Sequence, residues 1–221
     1  IVKPAFPKEV AFQKFGLDPH RKTVGLLPGS RIHEVERLFP SLLASAHLLQ
    51  KEIPELQFIV PLAPGLPKTI LSSYLKKNSV PLIVVEGFNY DVMNLSDLLI
   101  TASGTATLEG AILGKPMIII YRVSFLSYWI GRALIRVDHI GLVNLVAGKE
   151  VAPELIQKEV HPQRIAEEAL LILRDPILSR KMTESMAEVR KKLGLPGAAQ
   201  RAAHIVLSLL YQSEDQPRHA N

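Results

Sequence analysis

Apolar residues along this chain fall in short continuous runs, bounded by turn formers and separated by stretches of longer period. TVGLL (23–27), QFIVPLA (57–63), LIVVE (82–86), DLLITA (97–102) and MIIIY (117–121) each have the length of a strand, and most do not alternate in polarity. A strand that is apolar on both sides needs cover on both faces, which is what a parallel sheet between helices demands. From Glu34 to Lys51 the period lengthens: Val35, Leu38, Leu42 and Leu49 form one stripe, widened by Phe39, Leu43 and Ala46. Pro54 blocks continuation. Shorter helices are predicted over 69–77, 90–95 and 105–113, the last capped by Gly114. Strand and helix therefore alternate through 23–121, the order of a doubly wound α/β, Rossmann-like parallel sheet.

Beyond Tyr121 the pattern turns mostly helical, with candidates at 125–136, 162–173, 176–193 and 198–211. Pro162 and Pro176 suit first helical positions. LGLPGAA (193–199) breaks any helix and reads as a hinge before a terminal helix, and SEDQPRHAN as a frayed tail. The start, IVKPAFPKEV, lacks an apolar core of signal-peptide length and reads as a Pro-punctuated connector over 1–22.

Composition narrows the options. With 221 residues, 48% hydrophobic and 21% charged, the chain suits one large domain or two small ones. It has no cysteine, so neither a disulfide framework nor a thiolate metal site can form. A net charge of +5 favours anionic partners without choosing among them. Aromatics are only 6%, and no RNP-like pattern or Cys/His finger occurs, so no nucleic-acid partner is expected. The most apolar stretch, 117–137, is interrupted by Arg122, Arg132 and Arg136 and holds no uncharged run of about 18 residues, the length a membrane span needs.

Three loops carry candidate chemistry, since ligands of open α/β sheets sit beyond the strands' carboxyl ends. In LLPGSR, Gly29 permits a tight turn, Ser30 can cap the next helix, and Arg31 suits a phosphate. A plain strand-to-helix turn with a solvated Arg fits the same residues. In TASGTATLE (101–109), small residues let a ligand reach backbone. Ser103 and Thr105 add hydroxyls, and the first N–H groups of the helix are free for a diphosphate. Glu109, a turn further in, can accept from the two vicinal hydroxyls of a ribose, or simply face solvent. In HIGLVNLVAGKE (139–150), Asn144 either satisfies backbone groups or orients a phosphate or sugar. Neither G-x-x-x-x-G-K-[ST] nor G-x-G-x-x-G is present, and the histidines have no metal-ligand spacing, so no metal or other cofactor is expected.

These stretches together resemble the lipid-A-disaccharide synthases, inverting glycosyltransferases of the two-domain GT-B architecture. The match runs through LLPGSR with its following E-V, SGTATLEGAILGKPMIIIYRVSFLSYWI, IGLVNLVAGKEVAPELIQ and GAAQRAAHIVLSLL, in the family's order and over roughly 23–211. The resemblance implies a hexosyltransferase of lipid A synthesis. It moves 2,3-diacylglucosamine from UDP-2,3-diacylglucosamine to 2,3-diacylglucosamine 1-phosphate through a β-1,6 bond. It also implies that this chain corresponds to the donor-nucleotide half, with the acceptor site and proposed base in another, amino-terminal domain. On that reading 23–193 binds the UDP-sugar and 194–221 crosses to the other domain. Gly29, Ser30 and Arg31 line the diphosphate, with Arg31 stabilising charge on the leaving group. Ser103, Gly104 and Thr105 cradle it, Glu109 holds the ribose, and Asn144 lies near the phosphates or donor sugar. Glu86, Gly87 and Phe88 sit by the uracil, and Glu154 and Gln157 match the family's ELIQ.

In FLSYWIGRALIRV a helix would stack Phe125, Trp129 and Ala133 on one face, with Arg132 and Arg136 a turn apart. Such a helix either packs on the sheet or lies on an anionic membrane, which suits acylated substrates. The resemblance thus implies a cytoplasmic protein, peripheral on the inner face of the bacterial inner membrane, with a homodimer or terminal-helix swap as a further option. Another UDP-sugar GT-B transferase or epimerase is the alternative among enzymes, and by itself this chain is expected to be inactive, a non-catalytic module that binds UDP or a membrane.

Overall fold

A computed structural model describes residues 2–76, 80–123 and 138–214, the side chains at 199 and 209–214 excepted. Strands β1 (Thr23–Leu27), β2 (Gln57–Leu62), β3 (Leu82–Glu86), β4 (Leu98–Ala102), β5 (Met117–Tyr121) and β6 (Glu154–Ile156) form one sheet in the order β3-β2-β1-β4-β5-β6. Every neighbouring pair is parallel. The chain builds outward from β1 in one direction, then returns to lay β4 on the other side of β1. Leu27 thereby pairs with Thr101, so the turns leaving β1 and β4 stand side by side.

Strand neighbours feed opposite faces. Leu98, Ile100, Ile118 and Ile120 join one apolar cluster with α2 (Ile32–Glu52) and α7 (Pro162–Arg174). Leu99, Met117 and Ile119 join another with Met93, Ala111, Val143 and Met186. These come from α4 (Asn89–Leu95), α5 (Thr105–Ile112), α6 (Leu142–Ala147) and α8 (Pro176–Leu193). Burial on both faces explains why the strands read as unbroken apolar runs.

The stretch expected as a connector carries a helix, α1 (Lys8–Phe15), whose Ala11 and Phe12 pack with Ile59, Val85 and Val92. The Asp91 carboxylate accepts from the Ala5 and Phe6 N–H groups at 3.0 and 2.9 Å and fixes the entry of the chain. Helices α1 and α6 and strand β6 were not anticipated; α3 (Thr69–Leu75) lies within the stretch read as 69–77. The apolar segment 125–136 lies outside the described residues. Residues Val2–Lys192 form one compact unit and the chain from Leu193 onward another, which contains α9 (Ala198–Glu214). Gly194 and Gly197 before α9 both take left-handed φ, 75° and 99°.

Candidate functional site

A cavity of about 510 Å³ opens where β1 and β4 end. Its wall comes from the β1–α2 turn (Gly29, Ser30, Arg31), the β4–α5 turn from Thr101 through Ala106, and Glu109. Pro61 of β2, Ala63 just beyond it, Asn89 and Met93 of α4, and Leu142 add to it, with Leu27 and Glu34. The location is the point where strand order reverses, and there the two neighbouring crossovers leave room between them.

The first turn is closed from inside. Glu34 Oε2 accepts from the Ser30 and Arg31 N–H groups at 2.9 and 3.2 Å, and Glu34 Oε1 takes the Arg31 guanidinium at 3.0 Å. Ser30 does not cap α2: the N-cap is Arg31, and the carboxylate three residues on reaches back to it. Gly29 has φ 111°, and a Cβ there would lie 2.3 Å from Glu34 Oε2. The glycine is thus required by both the turn and the carboxylate's approach. Arg31 keeps 70% of its side chain exposed, so it can still meet an anion at the cavity mouth.

The second turn is open. The Ser103 N–H donates to the Ile120 carbonyl at 3.0 Å, and its hydroxyl donates to the Ile140 carbonyl at 3.1 Å, so this side chain holds the loop of 138–141 that leads into α6. Gly104 has extended φ, and a Cβ built on it meets nothing within 4 Å. Among the described residues, the Thr105 and Ala106 N–H groups have no acceptor. They are the unpaired donors that a helix start presents to an anion.

Glu109 lies one turn along α5, half-buried, and its carboxylate makes no hydrogen bond among the described residues. Burial holds its carboxyl above the ordinary carboxylate range. Burial, with the Glu109 charge second, raises the neighbouring Tyr90 phenol. On the same side, Asn89 Oδ1 is buried without a hydrogen-bond partner among the described residues. Among the described residues, two oxygen acceptors without donors therefore line one cavity together with the residues whose N–H groups are free at the start of α5.

Six other candidates stand elsewhere. Asn144 is fully buried and does not line the cavity. Its Nδ2 donates to the Ala152 carbonyl and to Glu154 Oε1, both at 2.7 Å, and its Oδ1 accepts from Val151 N and Ala152 N at 2.8 and 3.0 Å. Nothing of this amide remains for a phosphate or sugar. Glu154 also accepts from the Ile140 and Gly141 N–H groups at 2.8 and 3.0 Å. Gln157 exchanges hydrogen bonds with the Val123 backbone, and Arg122 donates to the Gln157 and Val160 carbonyls. Asn144 and Glu154 thus shape the loop that Ser103 grips, while Gln157 fixes the chain leaving β5. Glu86, the last residue of β3, is exposed, ion-paired with Lys68 at 2.6 Å and off the cavity wall. Gly87 and Phe88 turn the chain into α4 with φ 66° and 51°. Phe88 is held there against Phe6 and Phe15, and the next residue, Asn89, reaches the cavity. Asn89, Met93 and Glu34 escaped the sequence reading. Only the Arg31-x-x-Glu34 spacing, half of a capping box, hinted at one of them.

A parallel sheet of this order, with free helix-start N–H groups and a half-buried carboxylate at its switch point, defines a class: the Rossmann-like α/β unit of the kind that GT-B folds contain. Solved structures share the fold. A chain described as WaaG, a glycosyltransferase involved in lipopolysaccharide biosynthesis, gives a TM-score of 0.60 at 17% identity, over 90% of this chain and 50% of that one. The S. aureus MnaA–UDP co-structure gives 0.62 at 14%, over 99% and 52%. The family is shown by sequence: the family described as Lipid-A-disaccharide synthetase matches residues 2–208. A lipid-A-disaccharide synthase of Geobacter metallireducens is 48% identical over 209 residues, 95% of this chain and 54% of that protein. The chain belongs to the lipid-A-disaccharide synthase family, and it spans about half the length of the curated relatives it matches.

Proposed function

We propose that this chain is the donor-binding half of a lipid-A-disaccharide synthase, seating the UDP of UDP-2,3-diacylglucosamine in the switch-point cavity. One observation carries the reading. Free N–H groups at the start of α5 and an unpartnered, half-buried carboxylate four residues along the same helix share that cavity. Four residues are about 6 Å of helix rise, comparable to the span from a phosphate to the far hydroxyls of its ribose. The diphosphate takes the α5 N–H groups and Arg31; Glu109 takes the ribose hydroxyls. As the sugar departs toward the 6-hydroxyl of 2,3-diacylglucosamine 1-phosphate, charge grows on the diphosphate, and these fixed donors stabilise it.

The acceptor site and the base that removes the hydroxyl proton belong, on this proposal, to the other half of the enzyme, to which α9 crosses. Among the described residues no helix is long and apolar enough to cross a membrane. Peripheral docking on the inner face of the inner membrane is assigned to 125–136, so Trp129→Glu should reduce flotation with anionic liposomes.

The test is a calorimetric titration of the chain with UDP, ADP and GDP, followed by turnover after the acceptor half is added in trans. UDP should bind best, and Glu109→Ala should weaken it at least tenfold, the scale of hydrogen bonds to a charged group. Equal binding of the three nucleotides would refute the assignment.

A further inference from the structure

The buried Asn89 Oδ1 is the polar atom the fold leaves unexplained. Among the described residues it is the buried side-chain oxygen without a partner, and its residue lines the switch-point cavity. Native folds rarely leave such an acceptor unmet, because its water is removed on folding and nothing replaces it. A ligand that supplies an N–H or O–H at that place would repay the desolvation.

The chemistry of the ligand narrows the donor. At neutral pH a uridine diphosphate offers three hydrogen-bond donors: two ribose hydroxyls and the imide N3–H of the base. Its phosphates are acceptors and belong with the free Thr105 and Ala106 N–H groups. Glu109, a carboxylate with no hydrogen-bond partner among the described residues, matches the two vicinal hydroxyls. The base imide is then left without an acceptor, and Asn89 is left without a donor. Position agrees. Asn89 enters from α4, on the β3 side of the cavity, while the diphosphate seat lies at the start of α5. Tyr90, the next residue, feels the charge of Glu109, so the α4 wall adjoins the ribose end of the cavity. Met93, also in that wall and buried, offers an apolar surface to a flat ring.

We infer that Asn89 is the residue that recognises the uracil base, its Oδ1 accepting from N3–H while its Nδ2 donates to an adjacent ring carbonyl. The inference rests on the UDP-binding reading above and adds to it the group that selects the base. A carboxamide and an imide edge are complementary in this two-point way, whereas adenine has no ring N–H beside a carbonyl; guanine has one, but on a larger bicyclic base, which makes GDP the stricter control.

The experiment is a titration cycle on the full chain: wild type, Asn89→Leu and Asn89→Asp, each against UDP and 3-methyl-UDP, whose N3 carries a methyl in place of hydrogen. Wild type should bind UDP at least tenfold more tightly than 3-methyl-UDP. Asn89→Leu should lower UDP affinity at least tenfold and bring the two ligands within about threefold of each other. Asn89→Asp, which keeps the acceptor, should retain most of the preference. Thermal melts without nucleotide give the second readout. Leu has nearly the shape of Asn and removes an unmet acceptor, so Asn89→Leu should leave the melting temperature unchanged or raised. A purely structural asparagine would lower it. If UDP binds and Glu109→Ala weakens it, but Asn89→Leu leaves both affinities and their ratio untouched, the base assignment is overturned and the nucleotide site stands. If wild type shows no preference for UDP over ADP and GDP, both fall together.

Discussion

Glu109 and Asn144 are both polar side chains removed from bulk water, and the fold treats them in opposite ways. Asn144 has all its hydrogen-bonding capacity spent on Ala152, Val151 and Glu154, so it is a structural rivet. Asn144→Ala leaves three buried backbone groups unmet at once and removes one of the donors to Glu154. It should destabilise the chain by about 3 kcal/mol or more, measured by urea unfolding; loss of UDP binding at unchanged stability would instead return Asn144 to the site. Glu109 has its capacity unspent, and burial raises its pKa. Only the ionised carboxylate accepts from both ribose hydroxyls, so binding favours loss of the proton. UDP affinity should therefore fall as pH drops through a point above the usual carboxylate range. Glu109→Gln should show only the weaker dependence that comes from the phosphate itself. The residues from Ser103 to Glu109 were legible in the sequence because they act through one helix start, within nearest-turn spacing. For Asn144 the sequence offered backbone satisfaction or a ligand without deciding, because its partners at 151, 152 and 154 lie across a turn whose path the sequence leaves open. Asn89 was invisible for a related reason: nothing in GFNYD says which way an amide points.

Among elements, the long apolar ones declared themselves and the short or weakly patterned ones did not. The five runs read as strands are β1 to β5, within a residue at each end. Helix α2 carries Pro40 in its interior, a local cost of about 3 kcal/mol. It persists because Val35, Leu38, Phe39, Leu42 and Leu49 are buried along one stripe. Strand β6 has three residues and begins with a glutamate, too little for a period to show; it forms because β5 offers it an edge. Helix α1 was missed because KEVAFQKF buries only Ala11 and Phe12, and its dock depends on Asp91, far away in sequence. Contact between α4 and β1 is close enough to test. A Cβ on Gly25 would lie 2.4 Å from Ser96 Oγ and 2.9 Å from Leu99 Cδ2. Gly25→Ala should cost about 1–3 kcal/mol through overpacking, seen as a lower urea midpoint at constant m-value.

For the molecule as a whole, all three apolar clusters lie within Val2–Lys192, the larger of the two compact units. A chain ending at Lys192 should therefore keep its cooperative melt, within a few degrees, and its UDP titration. Loss of folding on that truncation would mean that the terminal unit is needed to complete the core. The same scale separates what the chain declares from what only folding decides. Sequence alone determined that strands and helices alternate, that the strands are covered on both faces, and that one helix starts in a small-residue turn with a carboxylate one turn in. Each of these is a period or spacing within a few residues, set by backbone geometry and apolar burial. The tertiary structure decided that β4 returns to pair with β1, which sets Leu27 beside Thr101. It decided too that Glu34 occupies the first turn, and that Asn89 joins Glu109 at one cavity. Those outcomes depend on which distant strands pair and how their helices pack, and long-range packing leaves no period in the sequence to read.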